Sequence, residues 1–80
     1  MKLTAVIVDD EIKLHSVLIE LLKENCPEID VIGTSTNMDN AYELIMSKRP
    51  QVVFLDIEMP GGSGFDLLQK FNPIFFETVF

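Results

Sequence analysis

Leu3 to Val8 (LTAVIV) is a mainly apolar run rich in β-branched side chains. It is too short for a helix and predicts a strand buried on both faces. The period then changes. Leu14, Val17, Leu18, Leu21 and Leu22 fall at i, i+3, i+4, i+7 and i+8, the single apolar face of a helix. Asp10 is the expected N-cap, and Pro27 marks the stop. Ile29 to Ser35 (IDVIGTS) predicts a second strand, in which Gly33 suits a close approach of backbone. Asn37 or Asp39 caps a second helix with Met38, Ala41, Leu44 and Ile45 inward, closed by Lys48-Arg49-Pro50.

Gln51 to Asp56 (QVVFLD) predicts a third strand. Gly61, Gly62 and Gly64 predict a turn, shaped also by Met59. Ser63 and Asp66 have the spacing of a capping box for a third helix carrying Phe65, Leu68 and Phe71. Asn72-Pro73 ends it, and Phe75 to Phe80 (FFETVF) begins a fourth strand. Alternation of strands and helices at this spacing requires parallel strands joined by right-handed crossovers. The predicted fold is α/β, a doubly wound parallel sheet. No internal repeat, low-complexity tract or linker interrupts it.

Composition narrows the function. The 80 residues suit one small domain, and 48% hydrophobic with 24% charged residues is globular rather than disordered. The net charge of −7 argues against direct nucleic-acid binding, which needs clustered Lys and Arg. The one adjacent basic pair, Lys48-Arg49, fits a helix C-terminus better. A single cysteine, Cys26, allows no intrachain disulfide framework or zinc cluster, and is expected to be a partly or fully buried free thiol. Lys2 leads straight into the first strand without the apolar stretch of a secretory signal. No run approaches the ~20 apolar residues of a membrane span. A cytoplasmic protein without a membrane partner is expected.

Two strands end on acids. Asp9-Asp10 follow the first and Asp56 ends the third. In open parallel sheets, ligands bind beyond the carboxyl ends of the strands, at the switch point in strand order. If those strands are neighbours, three carboxylates converge on one rim and repel one another. A cation relieves this. The donors are all hard oxygens, with no His or Cys adjacent in sequence, which selects Mg²⁺, with Mn²⁺ as the variant. Such an ion keeps room for a phosphate oxygen, and the matching chemistry is phosphoryl transfer with an Asp as nucleophile.

The IVDDE segment (Ile7 to Glu11), FLDIEMPGGSGFDLL (Phe54 to Leu68) and the βα order between them resemble the receiver domain of two-component response regulators. The resemblance implies the flavodoxin-like (CheY-like) order 2-1-3-4-5, with strands one and three side by side. It implies Asp56 as phosphoacceptor from a sensor histidine kinase. Asp10 and Asp56 would ligate Mg²⁺ directly, Asp9 mainly through water, and Glu58 through its backbone carbonyl. It further implies a signalling domain that catalyses its own phosphotransfer, not an enzyme, switching an output domain outside this chain. FFETVF after a short third helix resembles receivers joined to LytTR-type DNA-binding domains, so transcription regulation is the expected output.

Measured against that family, residues 1–80 are expected to be the N-terminal two-thirds of a receiver, lacking the last strand and last two helices. The phosphoryl-binding hydroxyl residue and Lys of the family would lie beyond Phe80. On this expectation the fourth strand is a bare edge with Phe75, Phe76, Val79 or Phe80 exposed, and a homo-oligomer follows. Two rival functions remain: a structural or assembling fragment without switch activity, and a Mg-dependent phosphohydrolase with an aspartyl-phosphate intermediate, suggested by Asp56-x-Glu58.

Blander readings account for the other polar residues. Glu11 is a first-turn helix-dipole acid and the Glu58 side chain is solvated. His15 reads as a surface or flank histidine, and Met38 and Met46 as core or flank fillers. The glycines match no phosphate-loop pattern.

Overall fold

A computed structural model describes residues 2–59 and 62–80. The elements run β1 (Leu3–Val8), α1 (Ile12–Asn25), β2 (Ile29–Ser35), α2 (Met38–Lys48), β3 (Val52–Leu55), β4 (Glu58–Met59), β5 (Gly62–Ser63), α3 (Gly64–Leu68) and β6 (Glu77–Val79). Four strands form one parallel sheet in the order β2-β1-β3-β6, and β4 and β5 form a small antiparallel ladder. The doubly wound α/β order expected from the chain is therefore present, with β1 and β3 adjacent. Their register pairs Val8 with Leu55, so the residues that follow each strand emerge side by side. β6 is an edge of the sheet, and it is shorter than the Phe75–Phe80 run that predicted it.

Local chemistry sets the helix starts. The Asn37 side chain accepts the Asn40 N–H at 2.8 Å, capping α2. Ser63 and Asp66 form the expected capping box: the Asp66 N–H donates to Ser63 Oγ, and the Ser63 N–H to Asp66 Oδ2. α1 differs. Its N-cap is Glu11, without a side-chain cap bond, and not Asp10. The Asp9 side chain instead accepts the Glu11 N–H at 2.9 Å, in the turn before the helix.

Because side chains alternate along a strand, each strand serves two faces. Val6, Val8, Val53 and Leu55 pack with Ala41 and Ile45 of α2, Leu67 of α3, and Met59, Phe71 and Phe76. Phe71 anchors this side, with ring centroids 5.1 Å from Tyr42, 5.9 Å from Phe75 and 5.1 Å from Phe76. Arg49, the left-handed C-cap of α2, lays its guanidinium 3.7 Å above the Phe75 ring. On the other face, Ile7 and Phe54 border a cavity of about 380 Å³ that Leu18 of α1 and Val79 and Phe80 also line.

Several expected burials change. In α1, Leu14, Val17 and Leu21 are exposed, and the inner residues are His15, Leu18, Ile19 and Leu22. Leu18 and Leu22 belong to both candidate faces, and the helix turns the stripe with His15 and Ile19 inward. His15 is thus buried, not a flank residue. α3 has only five residues; Leu67 is its core residue, Phe65 is exposed, and Phe71 lies beyond its end. Met46 is exposed, whereas Met59 is buried in the core. Phe76 is buried, leaving Val79 and Phe80 as the exposed apolar residues of the β6 edge. Cys26 is a half-buried free thiol, as expected. Pro60 and Gly61, part of the predicted turn, lie outside the described residues.

Candidate functional site

The parallel ladder carries the acids to one rim. Asp9 leaves β1 with its N–H bonded to the Ser35 carbonyl of β2 at 3.0 Å. Asp56 leaves β3 with its N–H bonded to the Val8 carbonyl of β1 at 2.9 Å. Both residues are therefore fixed by the same sheet. Asp9 and Asp56 are half-buried and Asp10 is exposed. Each offers a carboxylate oxygen, and these oxygens all lie within 4.8 Å of one another.

Further contacts hold Asp56. One of its oxygens, Oδ1, accepts the Glu58 N–H at 3.2 Å. Behind it, the Gly64 N–H donates to the Ile57 carbonyl at 2.6 Å. A Cβ on Gly64 would stand 2.7 Å from the Asp56 carbonyl oxygen and 2.9 Å from Leu55 Cγ, so the start of α3 comes this near because residue 64 has no side chain. Glu58 sits on β4 with an exposed side chain outside the carboxylate cluster.

The structure also adds two residues that their sequence pattern did not mark. His15 Nε2 lies 2.7 Å from the Asp9 carbonyl oxygen. Buried Ser35 supplies the carbonyl that receives Asp9, and its hydroxyl donates to the Asn37 carbonyl at 3.0 Å. A strand-ending Ser before an N-cap Asn carries no signal of this role, and a histidine beside a leucine stripe reads as a flank.

Three carboxylates with no cation among their hydrogen-bond partners in the described residues form a hard-oxygen donor set, which fits a Mg²⁺-sized ion. The fold and rim define a class: a doubly wound α/β domain with acids at the switch point of its strand order. The chain matches the response regulator receiver domain over residues 5–75, and it belongs to that family. It is 42% identical over 71 residues to an uncharacterised response regulatory protein of Vibrio cholerae, covering 89% of this chain and 30% of that protein. It is 34% identical over 68 residues to the sensory transduction protein LytT of Bacillus subtilis, covering 85% of this chain and 28% of that protein. A DNA-binding response regulator of the LuxR family from Staphylococcus aureus superposes with a TM-score of 0.80 at 28% identity, over 95% of this chain and 62% of that one. The chain thus spans less than a third of the length of these curated relatives. Receiver domains are signalling domains that generally bind Mg²⁺ at an acidic pocket and work with histidine kinases and output domains.

Proposed function

We propose that this chain is the N-terminal two-thirds of a receiver domain and that Asp56 is its phosphoacceptor. The observation that carries the reading is the meeting of Asp9, Asp10 and Asp56 within 4.8 Å at the ends of adjacent strands. In the transfer, an Asp56 carboxylate oxygen forms a bond to phosphorus as the phosphorus–nitrogen bond of a kinase phosphohistidine breaks, and the imidazole departs with the electron pair. Oδ1 accepts the Glu58 N–H, and Oδ2, without a hydrogen bond among the described residues, is the favoured nucleophile. Asp10, Asp56 and the Glu58 carbonyl would hold Mg²⁺, with Asp9 acting through water. The ion, when bound, offsets negative charge on the transferring group.

The phosphorylated domain would then switch an output domain outside residues 1–80. The S. aureus neighbour is a DNA-binding response regulator, which makes DNA binding the favoured output, so the partners proposed are a sensor histidine kinase and a transcriptional effector in the cytoplasm. No helix among the described residues is long and apolar enough to cross a membrane. The phosphohydrolase reading would use Glu58 as a second side-chain acid, and its carboxylate stands outside the cluster. The exposed edge of β6 supports self-association of this chain.

Incubation with Mg²⁺ and acetyl phosphate, followed by intact-mass measurement, tests the reading. One phosphoryl adduct is expected, lost in Asp56→Asn and lost when EDTA removes the metal. An adduct that survives Asp56→Asn, or none in the unaltered protein, overturns it.

A further inference from the structure

His15 is a buried polar residue that the phosphotransfer reading leaves unused. It is 6% exposed, lies in the first turns of α1, and places Nε2 2.7 Å from the carbonyl oxygen of Asp9. A carbonyl only accepts, so the imidazole donates from Nε2, which fixes that nitrogen as the protonated one.

The recipient is the peptide group that joins Asp9 to Asp10. Its plane sets the direction in which the Asp10 side chain leaves the backbone. Other ties in this loop act elsewhere. The Asp9 N–H is bonded to Ser35 and continues the sheet; Asp9 Oδ1 accepts the Glu11 N–H two residues on. Neither of these holds the Asp9 carbonyl, and α1 has no side-chain cap to stiffen its entry. The His15 bond is the link from that peptide to the body of the helix. Asp10 is exposed beside two other carboxylates, and repulsion between like charges favours turning it out toward water.

We infer that His15 is a positioning residue, whose Nε2–H holds the Asp9–Asp10 peptide so that both acids face Asp56. The inference deepens the proposed function and rests on it for the identity of the ligand, but the geometry it claims exists without metal. The competing account is that His15 only fills space beside Leu18, Ile19 and Leu22.

Two variants separate these accounts. His15→Leu keeps an apolar filler and removes the donor, while His15→Gln keeps an N–H near the position of Nε2. In metal-free protein, hydrogen exchange of the Glu11 amide should quicken in His15→Leu and return toward the wild-type rate in His15→Gln. In Mg²⁺ titrations followed by amide chemical shifts, His15→Leu should weaken binding about tenfold, as removal of a group orienting a metal ligand does, with most of the loss recovered by His15→Gln. Should His15→Leu fail to fold, His15→Asn, too short to reach, replaces it. A folded donor-less variant with wild-type exchange and wild-type Mg²⁺ affinity overturns the inference, as does a folded His15→Gln no better than the donor-less one. Wild-type protein that binds no Mg²⁺, yet shows the donor-dependent exchange, refutes the site reading and leaves the positioning role standing.

Discussion

The two faces of the sheet are built from the same strands and end up in different states. Toward α2 and α3, Val6, Val8 and Val53 are fully enclosed, and Leu55 is nearly so. Toward α1, Ala5 and Ile7 are enclosed, but Phe54 is half-buried and borders a 380 Å³ cavity, Val79 is exposed, exposed Phe80 packs on Phe65 of α3 with ring centroids 5.4 Å apart, and the helix turns Leu14, Val17 and Leu21 outward. Strand composition does not explain this, since β1 and β3 supply aliphatic or aromatic side chains to both faces. The number of covering elements does. Among the described residues, two helices and an aromatic cluster cover one face, and a single helix spans the other. The acids sit on the rim where the two faces meet, held from the closed side by Gly64 and from the open side by His15.

The largest expected effect tests the closed face. Ile45 is fully buried on α2, in contact with the sheet core. Ile45→Ala removes packed methylenes and leaves a void where two layers already interlock, so a loss of about 2–5 kcal/mol is expected. In a domain this small that is a large share of the total stability, visible in urea unfolding as a lower midpoint at unchanged slope. A loss under about 1 kcal/mol would mean that the two faces are equally loose.

Gly64→Ala is the intermediate case and asks how far the closed face extends toward the site. Helix propensity alone predicts a stabilising change of up to about 1 kcal/mol. The contact predicts the reverse: the new Cβ would stand 2.7 Å from the Asp56 carbonyl oxygen, and backbone must move. Overpacking of this kind costs about 1–3 kcal/mol. Because the displaced backbone carries Asp56, the proposed phosphoacceptor, the rate of adduct formation should fall with stability. A more stable variant with unchanged phosphorylation would show that α3 is not packed against the site.

This division of faces explains what the chain made legible. β1, β2, the caps of α2 and α3 and the three converging acids follow from signals a few residues long: apolar runs, an Asn, a Ser-x-x-Asp spacing, and carboxylates at strand ends. The parallel order then forces the acids together. α1 was harder because its residues offer two overlapping stripes, Leu14-Val17-Leu18-Leu21-Leu22 and His15-Leu18-Ile19-Leu22. The leucine-rich stripe carries more apolar area, yet the sheet takes the one with the histidine. Periodicity measures amphipathicity and does not say which neighbour covers a face. His15 was illegible for the same reason, since its partner is a backbone carbonyl that no side-chain pattern marks. α3 spans too few residues for a period to separate Phe65 from Leu67. The β4–β5 ladder has two residues per strand and no alternation to read.

The smallest effect on stability belongs to the open face, and there the comparison can be broken outright. Val17 and Leu21 are 54% and 51% exposed on the outer side of α1. Truncation of either to alanine removes little buried area, so a change within about 0.5 kcal/mol is expected in dilute protein. A second property should respond more. Exposed Val17, Leu21, Val79 and Phe80, with the unpaired edge of β6, give a second copy apolar surface and backbone donors and acceptors to cover. Light scattering should show mass rising with concentration, and Val17→Lys with Leu21→Lys should lower it by placing like charges where apolar surfaces would meet. If the double variant associates as the wild type does, the edge strand alone drives assembly. If the unaltered protein stays monomeric at high concentration, the face is open without being adhesive, and the contrast between the two faces is one of packing alone.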